Sequence, residues 1–373
     1  MKTQVGVIFG GRSGEHEISI RSAKTVIEQI DRDKYDVIPI AITKEGKWLP
    51  PAESAKWLPD ASVGTIAEQV AAYGDESIGI VGDTGFRGLT RLGKNGSDIG
   101  LDVIFPVLHG TFGEDGTIQG LFEMAGIPYV GCGVLGSSCG MDKVVMKTLF
   151  RDAGLPICKH TWFLRSEYEQ NADAVIAGVE KALGFPCFVK PANLGSSVGV
   201  SKANDEQSLK EAIELASEYD RKIVVEESLD MREIECAVIG NDVPEASRPG
   251  EYIIRDGAKA FLDYTEKYSG TGNNEFVVPA PVSTDLEMRI RELAVRAFKA
   301  IDASGLARVD FFLRNDNGAL IVNEINTMPG LTDASGFPKM WAGSGKPFAE
   351  VIDCLIELAF ERHSDRQRNK TSK

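Results

Sequence analysis

Short unbroken apolar runs alternate with stretches of helical spacing from the start of the chain. Residues 4–9 (QVGVIF) form a run that stops at Gly10-Gly11-Arg12-Ser13-Gly14. Ile18, Ile20, Ala23, Val26, Ile27 and Ile30 then recur about once per turn, and 35–42 is a second run. Strand, glycine loop, helix and strand make a βαβ unit, whose first loop lies at the carboxyl end of the sheet and faces a ligand crevice. Residues 46–100 mix Trp48, Trp57, prolines and glycines with short amphipathic pieces, and no element is assigned there. Residues 101–108 read as a buried strand that empties into a Gly-rich loop at 109–116, followed by a helix over 117–125 that Gly126 closes. Residues 129–140 read as a Gly/Ser-rich crossing at a domain boundary, and 141–153 as a short amphipathic helix ended by Gly154. Beyond it the pattern predicts strand 160–164, helix 168–183, a strand delivering Lys190, helix 205–219, strands 222–225 and 232–239, and helices 284–303 and 348–361. Residues 363–373 are polar and expected to fray. The fold class is α/β.

The most informative stretch is 306–330, two apolar runs around a polar turn (LARVDFFL-RNDNG-ALIVNEINTMPG). A three-residue Asp-Asn-Gly loop at 316–318, with Gly318 left-handed, sets Asn315 opposite Ala319, Asp310 opposite Glu324, and Arg308 opposite Asn326. Side chains alternate, so Arg308, Asp310, Glu324 and Asn326 share one face while Val309, Phe311, Ile321 and Ile325 take the other. A two-residue Asn-Gly loop would shift the register by one and scatter the set. Directly opposed carboxylates repel unless a cation sits between them, and Asp, Glu and Asn oxygens are the hard donors that suit magnesium or manganese. Arg308 adds a positive fork suited to phosphate. The competing reading is a hairpin whose polar face meets water.

Other candidate groups stand in loops. Ser13 and Glu15 follow the first strand, but the glycines are not GxGxxG and no acidic residue follows the second strand at the place a dinucleotide site needs. His109 is either a donor or weak base, or a turn residue bonding backbone. Lys143 lies in the first turn of its helix, where a cation opposes the dipole, which suggests an anionic partner from outside the helix, the alternative being a solvated lysine. Lys190 precedes a loop of small residues (PANLGSSVGV) whose amides suit phosphate, in a strand–loop–strand order unlike a P-loop; the alternative is a plain hairpin loop with a solvated lysine. Glu226 and Glu233 sit at strand ends, where a carboxylate accepts hydrogen bonds from ribose or adenine. The polar segment 261–276, with Lys267 and Tyr268 at its middle, has the length of a lid. Gly330 offers an amide N–H and Ser335 a hydroxyl close to the carboxylate pair.

A net charge of -14 over 373 residues argues against nucleic acid or anionic membrane as the main partner. The six cysteines form no CxxC pair and sit mostly in apolar runs, as reduced core thiols of a cytoplasmic protein do. No apolar run approaches the ~18 residues of a membrane span.

Taken in order, GGRSGEHEIS at 10–19, HGTFGEDGTIQG at 109–120, KPANLGSSVGV at 190–200, RVDFF and NEINTMPG resemble the D-alanine–D-alanine ligases of the ATP-grasp superfamily, from about residue 5 to 358. The resemblance implies an ATP-grasp fold preceded by a Rossmann-like domain, divided as 1–138, 139–225 and 226–373. It implies Lys143 and Lys190 on the ATP phosphates, Glu226 by adenine, Glu233 on the ribose, and Lys267 reaching the terminal phosphate. Asp310, Glu324 and Asn326 match ligands of magnesium or manganese, two ions being expected. Glu15 and Ser196 match the pair that holds the first D-alanine, linked to Tyr268, with His109 nearby. Arg308 and the Gly330 amide would face an oxyanion, and Ser335 the second substrate's carboxylate. Glu227 departs from the lysine many ATP-grasp sequences carry there. Lys267-Tyr268 favours a dipeptide over a D-lactate product, and a homodimer is implied. The rivals are a hydroxyl-accepting ligase, a nicotinamide oxidoreductase and a non-catalytic nucleotide sensor.

Overall fold

The computed structural model describes residues 2–58, 66, 70, 78–86, 88–91, 99–254 and 274–370. The first run becomes β1 (Thr3–Gly10), the helical stretch α1 (His16–Gln29) and the second run β2 (Tyr35–Ile42). A short α2 (Pro51–Ala55) follows, and three strands occupy the stretch left unassigned from sequence: β3 (Ile78–Ile80), β4 (Gly88–Arg91) and β5 (Ile99–Gly100). They pair antiparallel as a small sheet of their own. Their two to four residues are too short to show an alternation that can be read.

β6 (Val103–Val107) pairs parallel to the other side of β1, giving the order β2-β1-β6. Both faces of this sheet are buried, which explains its unbroken apolar runs. Val5, Val7 and Phe9 pack one way and Ile8, Ile38 and Ile104 the other, toward the small sheet. Helix α3 (Thr117–Ala125) ends at left-handed Gly126 as expected. The supposed crossing holds a helix, α4 (Val134–Met141), and Asp142 then caps α5 (Lys143–Asp152) by accepting from Val144 N and Val145 N at 3.0 and 3.1 Å. Glycine and serine had disguised α4, which packs close to its neighbours where larger residues would not fit.

A four-stranded antiparallel sheet has the order β7-β10-β8-β9, from β7 (His160–Leu164), β8 (Cys187–Pro191), β9 (Ser201–Ala203) and β10 (Lys222–Glu227). Asn171 splits the predicted helix 168–183 into α6 (Arg165–Gln170) and α7 (Ala172–Leu183), and α8 (Glu206–Tyr219) starts at the Asp205 cap. β10 continues through Glu226 and Glu227, past residue 225 where the strand and the central subdomain were expected to end.

The second antiparallel sheet has the order β14-β13-β11-β15-β16, with β12 (Glu245–Ala246) on β11. Its strands are β11 (Met231–Gly240), β13 (Gly250–Ile254), β14 (Asn274–Val277), β15 (Gly305–Arg314) and β16 (Leu320–Asn326). One face carries Ile234, Cys236, Val309, Phe311, Val322 and Ile325 against α9 (Thr284–Ala300) and α5. After α10 (Gly336–Gly343), the last helix, α11 (Phe348–Arg366), runs beyond the expected 361. Its Val351, Ile352, Leu355 and Ile356 share one core with β1, β2, β6 and with Ala237, Ile239 and Leu306 of the second sheet. The end of the chain thereby ties the parallel sheet to the antiparallel one and sets the cleft between them. Arg362 reinforces the tie, donating to the carbonyls of Gly131 and Tyr129 and to Ser304 Oγ.

Candidate active site

The hairpin places its polar set as expected, by a different route. Asp310 lies opposite Glu324 and Arg308 opposite Asn326. Nearer the turn, however, Leu313 faces Leu320 and Arg314 N donates to Ala319 O, so the loop spans 315–318 rather than 316–318. The expected pairing of Asn315 with Ala319 is therefore wrong by one. A β-bulge between Asp310 and Phe311, absorbed by Asn323 on β16, restores the register on the cleft side. Gly318 is left-handed, φ 69°. The bulge also reverses one face assignment. Ile321 pairs with Phe312 on the cleft side, and Val322 takes the core place expected of Ile321.

Across this sheet face Glu235 of β11 lies opposite Asp310 on the other side, making a row Glu235–Asp310–Glu324. Arg308 is the counter-charge. Its Nε and Nη2 donate to the two Asp310 oxygens at 2.7 and 2.6 Å, and Glu235 Oε2 is 3.5 Å away. Asn326 Nδ2 donates to Asp310 Oδ2 at 3.0 Å.

The four-stranded sheet faces this row. Lys143 Nζ donates to Leu194 O at 2.8 Å and stands 3.8 Å from Glu324 Oε2, which joins the Gly/Ser loop to the acidic row. Lys190 lines the same cavity and donates to Glu226 Oε2 at 2.7 Å. Glu226 does not turn into the cavity as expected for an adenine contact. It is 2% exposed, and its second oxygen is paired with the buried Lys147 at 3.0 Å. Burial opposes its ionisation, but the two lysines override this and hold the carboxyl well below the usual range. Glu227 accepts from Lys159 N at 2.7 Å, an exposed contact at the strand end.

The parallel sheet closes the third side. Glu15 accepts a hydrogen bond from Ser196 Oγ, 181 residues away, the two residues that the family resemblance had put together. Burial pushes the Glu15 carboxyl up to about 7, while Arg308 and Lys143 hold it down. Gly110 is left-handed, φ 73°, which favours glycine, and a Cβ there would stand 2.7 Å from Glu15 Oε2 and push the carboxylate aside. Ser196 and Ser197 are both left-handed, φ 55° and 57°, a strained backbone at the cavity wall.

His109 lines the cavity but is 4% exposed, and both ring nitrogens are engaged by protein. Nδ1–H donates to Met328 O at 3.0 Å and Nε2 accepts from Ser22 Oγ at 3.0 Å, while Ser22 Oγ accepts from Leu331 N at 3.2 Å. Burial depresses the imidazole to about 4, so the ring is neutral near pH 7. The circuit holds the Met328–Leu331 turn, whose Gly330 lines the cavity. Beside it, burial and then the charge of Glu15 raise Glu114 well above a normal carboxyl.

Ser335 is buried behind this turn. Its Oγ lies 2.7 Å from Thr332 Oγ1 and accepts from Thr332 N at 3.2 Å, so it is engaged locally rather than lining the cavity. Glu233 also lines the cavity, two residues before Glu235 on β11 and opposite Phe312. Lys267 and Tyr268 lie outside the described residues.

Sequence reasoning missed Lys147, Ser22, Glu114 and Glu235. Lys147 gave a usable signal, a lysine on the same stripe as Val144, Met146 and Phe150. Ser22 and Glu235 gave none, because their partners are remote in sequence.

Among the described residues, six carboxyls line the cavity (Glu15, Glu114, Glu233, Glu235, Asp310, Glu324) against three cations (Lys143, Lys190, Arg308). Burial raises both Glu114 and Glu15, yet even with these two left out four carboxylates face the three cations. A polyanionic ligand would enter only with added positive charge, and the opposed Asp310 and Glu324 with the Asn326 carboxamide are the hard oxygen donors for it. The fit requires Arg308 to share Asp310 and the Asn326 amide to present its oxygen. No cluster of three His, Cys, Asp or Glu side chains around a common metal point occurs among the described residues, so the amide is needed.

A parallel-sheet domain set over two antiparallel sheets, with lysines on one and opposed carboxylates on the other, is the ATP-grasp arrangement of nucleotide-dependent ligases. Residues 4–132 match the family described as D-ala D-ala ligase N-terminus, and 149–357 the D-ala D-ala ligase C-terminus. The chain belongs to the D-alanine–D-alanine ligase family, which uses ATP. It is 48% identical over 374 residues to the D-alanine–D-alanine ligase of Ruminiclostridium cellulolyticum, covering 100% of this chain and 99% of the relative. It is 47% identical to that of Geobacillus thermodenitrificans, covering 98% of each. Among solved structures, the D-alanine-D-alanine ligase from Coxiella burnetii aligns with a TM-score of 0.81 at 34% identity over 98% of each chain. The VanG D-Ala:D-Ser ligase from Enterococcus faecalis aligns at 0.81 and 35%, over 96% of this chain and 100% of the other. No helix among the described residues is long and apolar enough to cross a membrane.

Proposed function

We propose that this chain joins two D-alanines to D-alanyl-D-alanine at the expense of ATP, in the cytoplasm, for peptidoglycan precursor synthesis. The observation that carries the reading is the meeting, in one cavity, of Lys143, Lys190 and Arg308 with the opposed Asp310 and Glu324 and the Glu15–Ser196 pair. The parallel-sheet domain contributes the first amino-acid site and the two antiparallel sheets the nucleotide site, and two copies assemble as the family pattern suggests.

Glu15, oriented by Ser196, receives the ammonium of the first D-alanine, which draws the carboxyl to its charged form. Lys143 and Lys190 bind phosphate oxygens. Glu226 is the counter-ion that fixes Lys190 from below, and Glu233, at the cavity wall, would accept from the ribose. Asp310, Glu324 and Asn326 would hold magnesium or manganese, which supplies positive charge to the phosphates when bound. The first carboxylate attacks the terminal phosphorus of ATP, forming an acyl phosphate and releasing ADP. The amine of the second D-alanine, having lost its surplus proton, attacks the acyl carbon. The carbon–oxygen bond to phosphate breaks, and inorganic phosphate leaves. Arg308 and the Gly330 amide face the oxygen that becomes negative in between. Positioning and electrostatics supply the rate, with no covalent enzyme intermediate.

The test is phosphate release from ATP and magnesium, with product mass, using D-alanine, L-alanine, or D-alanine with D-serine or D-lactate. Release with D-alanine alone, matched by dipeptide, is expected. Release only on adding D-serine or D-lactate would reassign the second substrate, and no release in any mixture would refute the ligase reading.

A further inference from the structure

Beneath the cavity lies a charge that the proposed reaction does not use. Lys147 comes one helical turn after Lys143 on α5, so both project from the same face. Lys143 opens into the cavity, whereas Lys147 is 1% exposed. Its ammonium lies 3.0 Å from Glu226 Oε1 as an ion pair, and it donates to the Asn323 carbonyl at 3.1 Å and to Cys158 Sγ at 3.6 Å. A desolvated ammonium persists only with compensation this complete.

Two consequences follow from these partners. Glu226 is shared, its other oxygen binding Lys190. Two lysines and one carboxylate leave one net positive charge, and Lys190 is the member that lines the cavity. Without Lys147, Glu226 and Lys190 would cancel, and the cavity would lose a charge where it is already short of cations. Asn323 is the bulge residue that restores the Asp310–Glu324 register, so the same ammonium also pins the bulge.

We propose that Lys147 is a positioning residue for nucleotide binding, saturating one oxygen of Glu226 so that the charge of Lys190 is left for phosphate. This rests on the reading that nucleotide phosphates face Lys190. The probe is ADP with magnesium, its affinity measured by calorimetry on the full chain, with steady-state KM for ATP and for D-alanine alongside. Binding by the unsubstituted protein is the control: its absence refutes the ligase reading itself, and the proposal with it.

Given that binding, Lys147→Met is expected to weaken ADP about tenfold or more and raise KM for ATP in parallel, with KM for D-alanine within about twofold. Adding Glu226→Gln should bring ADP affinity back to within about threefold of the unsubstituted protein, because glutamine no longer cancels Lys190. A merely structural lysine would not be rescued by a second buried substitution. Unchanged ADP affinity in the single variant, or a double variant as weak as the single, would overturn the proposal. Should the single variant not fold, the double variant decides alone: a tenfold loss of ADP affinity in it overturns the charge argument.

Discussion

His109 makes a contribution to the acid sensitivity of this fold that can be separated from the rest by substitution. Its imidazole is neutral and buried, bonded to Met328 O and Ser22 Oγ, with its ionisation depressed from 6.5 to about 4. A group depressed on folding costs nothing above its unfolded value, and the native state loses stability as pH falls toward the folded value. The full difference, 6.5 less 4 at about 1.4 kcal/mol per unit, is about 3 kcal/mol. At pH 5, where the unfolded chain is largely protonated and the native ring is not, about 2 kcal/mol is already lost. Glu15 works in the opposite sense. Its carboxyl is raised to about 7, so protonation favours the native state as pH falls from there toward 4.5. The pH dependence of the whole protein therefore does not isolate His109, but comparison with His109→Gln does. Urea unfolding followed by tryptophan fluorescence, at pH 7.5 and pH 5, should show the variant losing about 2 kcal/mol less than the parent between the two. The baseline cost of the substitution cancels in that comparison. Proton NMR of the His109 ring should show no titration above about pH 5. A midpoint near 6.5, or equal acid losses in parent and variant, would refute the assignment.

Two further outcomes follow from the site. Glu324→Gln keeps the shape of β16 but removes one of the opposed carboxylates, so ATP turnover should be abolished with circular dichroism and thermal midpoint preserved; full activity at saturating magnesium would refute the ligand assignment. Ser22→Ala strands the Leu331 N–H and His109 Nε2, each at about 1–3 kcal/mol. It should lower kcat about tenfold with KM for ATP unchanged, and an unaltered kcat would show that the Met328–Leu331 turn does not need this support.

The hairpin shows how sequence and tertiary structure divide the work. Alternation along 306–326 was sufficient to put Arg308 with Asp310, and Glu324 with Asn326, on one face of each strand, because side-chain direction in a strand follows from the local backbone, but the bulge was needed to bring the two pairs to the same face. The bulge at Asn323 was not legible, since the residues that hold it, Lys147 and Pro156, come from outside the hairpin: Lys147 Nζ bonds Asn323 O and Val322 N bonds Pro156 O. The three strands at 78–100 escaped for the opposite reason, being too short for any period to emerge.

By itself the sequence determined the βαβ opening, the long amphipathic helices, the alternation along each strand of the hairpin and the run of motifs that marks the family. All of these depend on residues within a few positions of one another, where periodicity and turn chemistry act directly. Tertiary structure alone decided which distant groups neutralise or orient one another: Ser196 against Glu15, His109 against Ser22 and Met328, and Lys147 with Lys190 on Glu226. It also decided that Glu226 and Ser335 are engaged inside the fold. Burial and charge pairing are properties of three-dimensional neighbourhood, and no spacing along the chain encodes them.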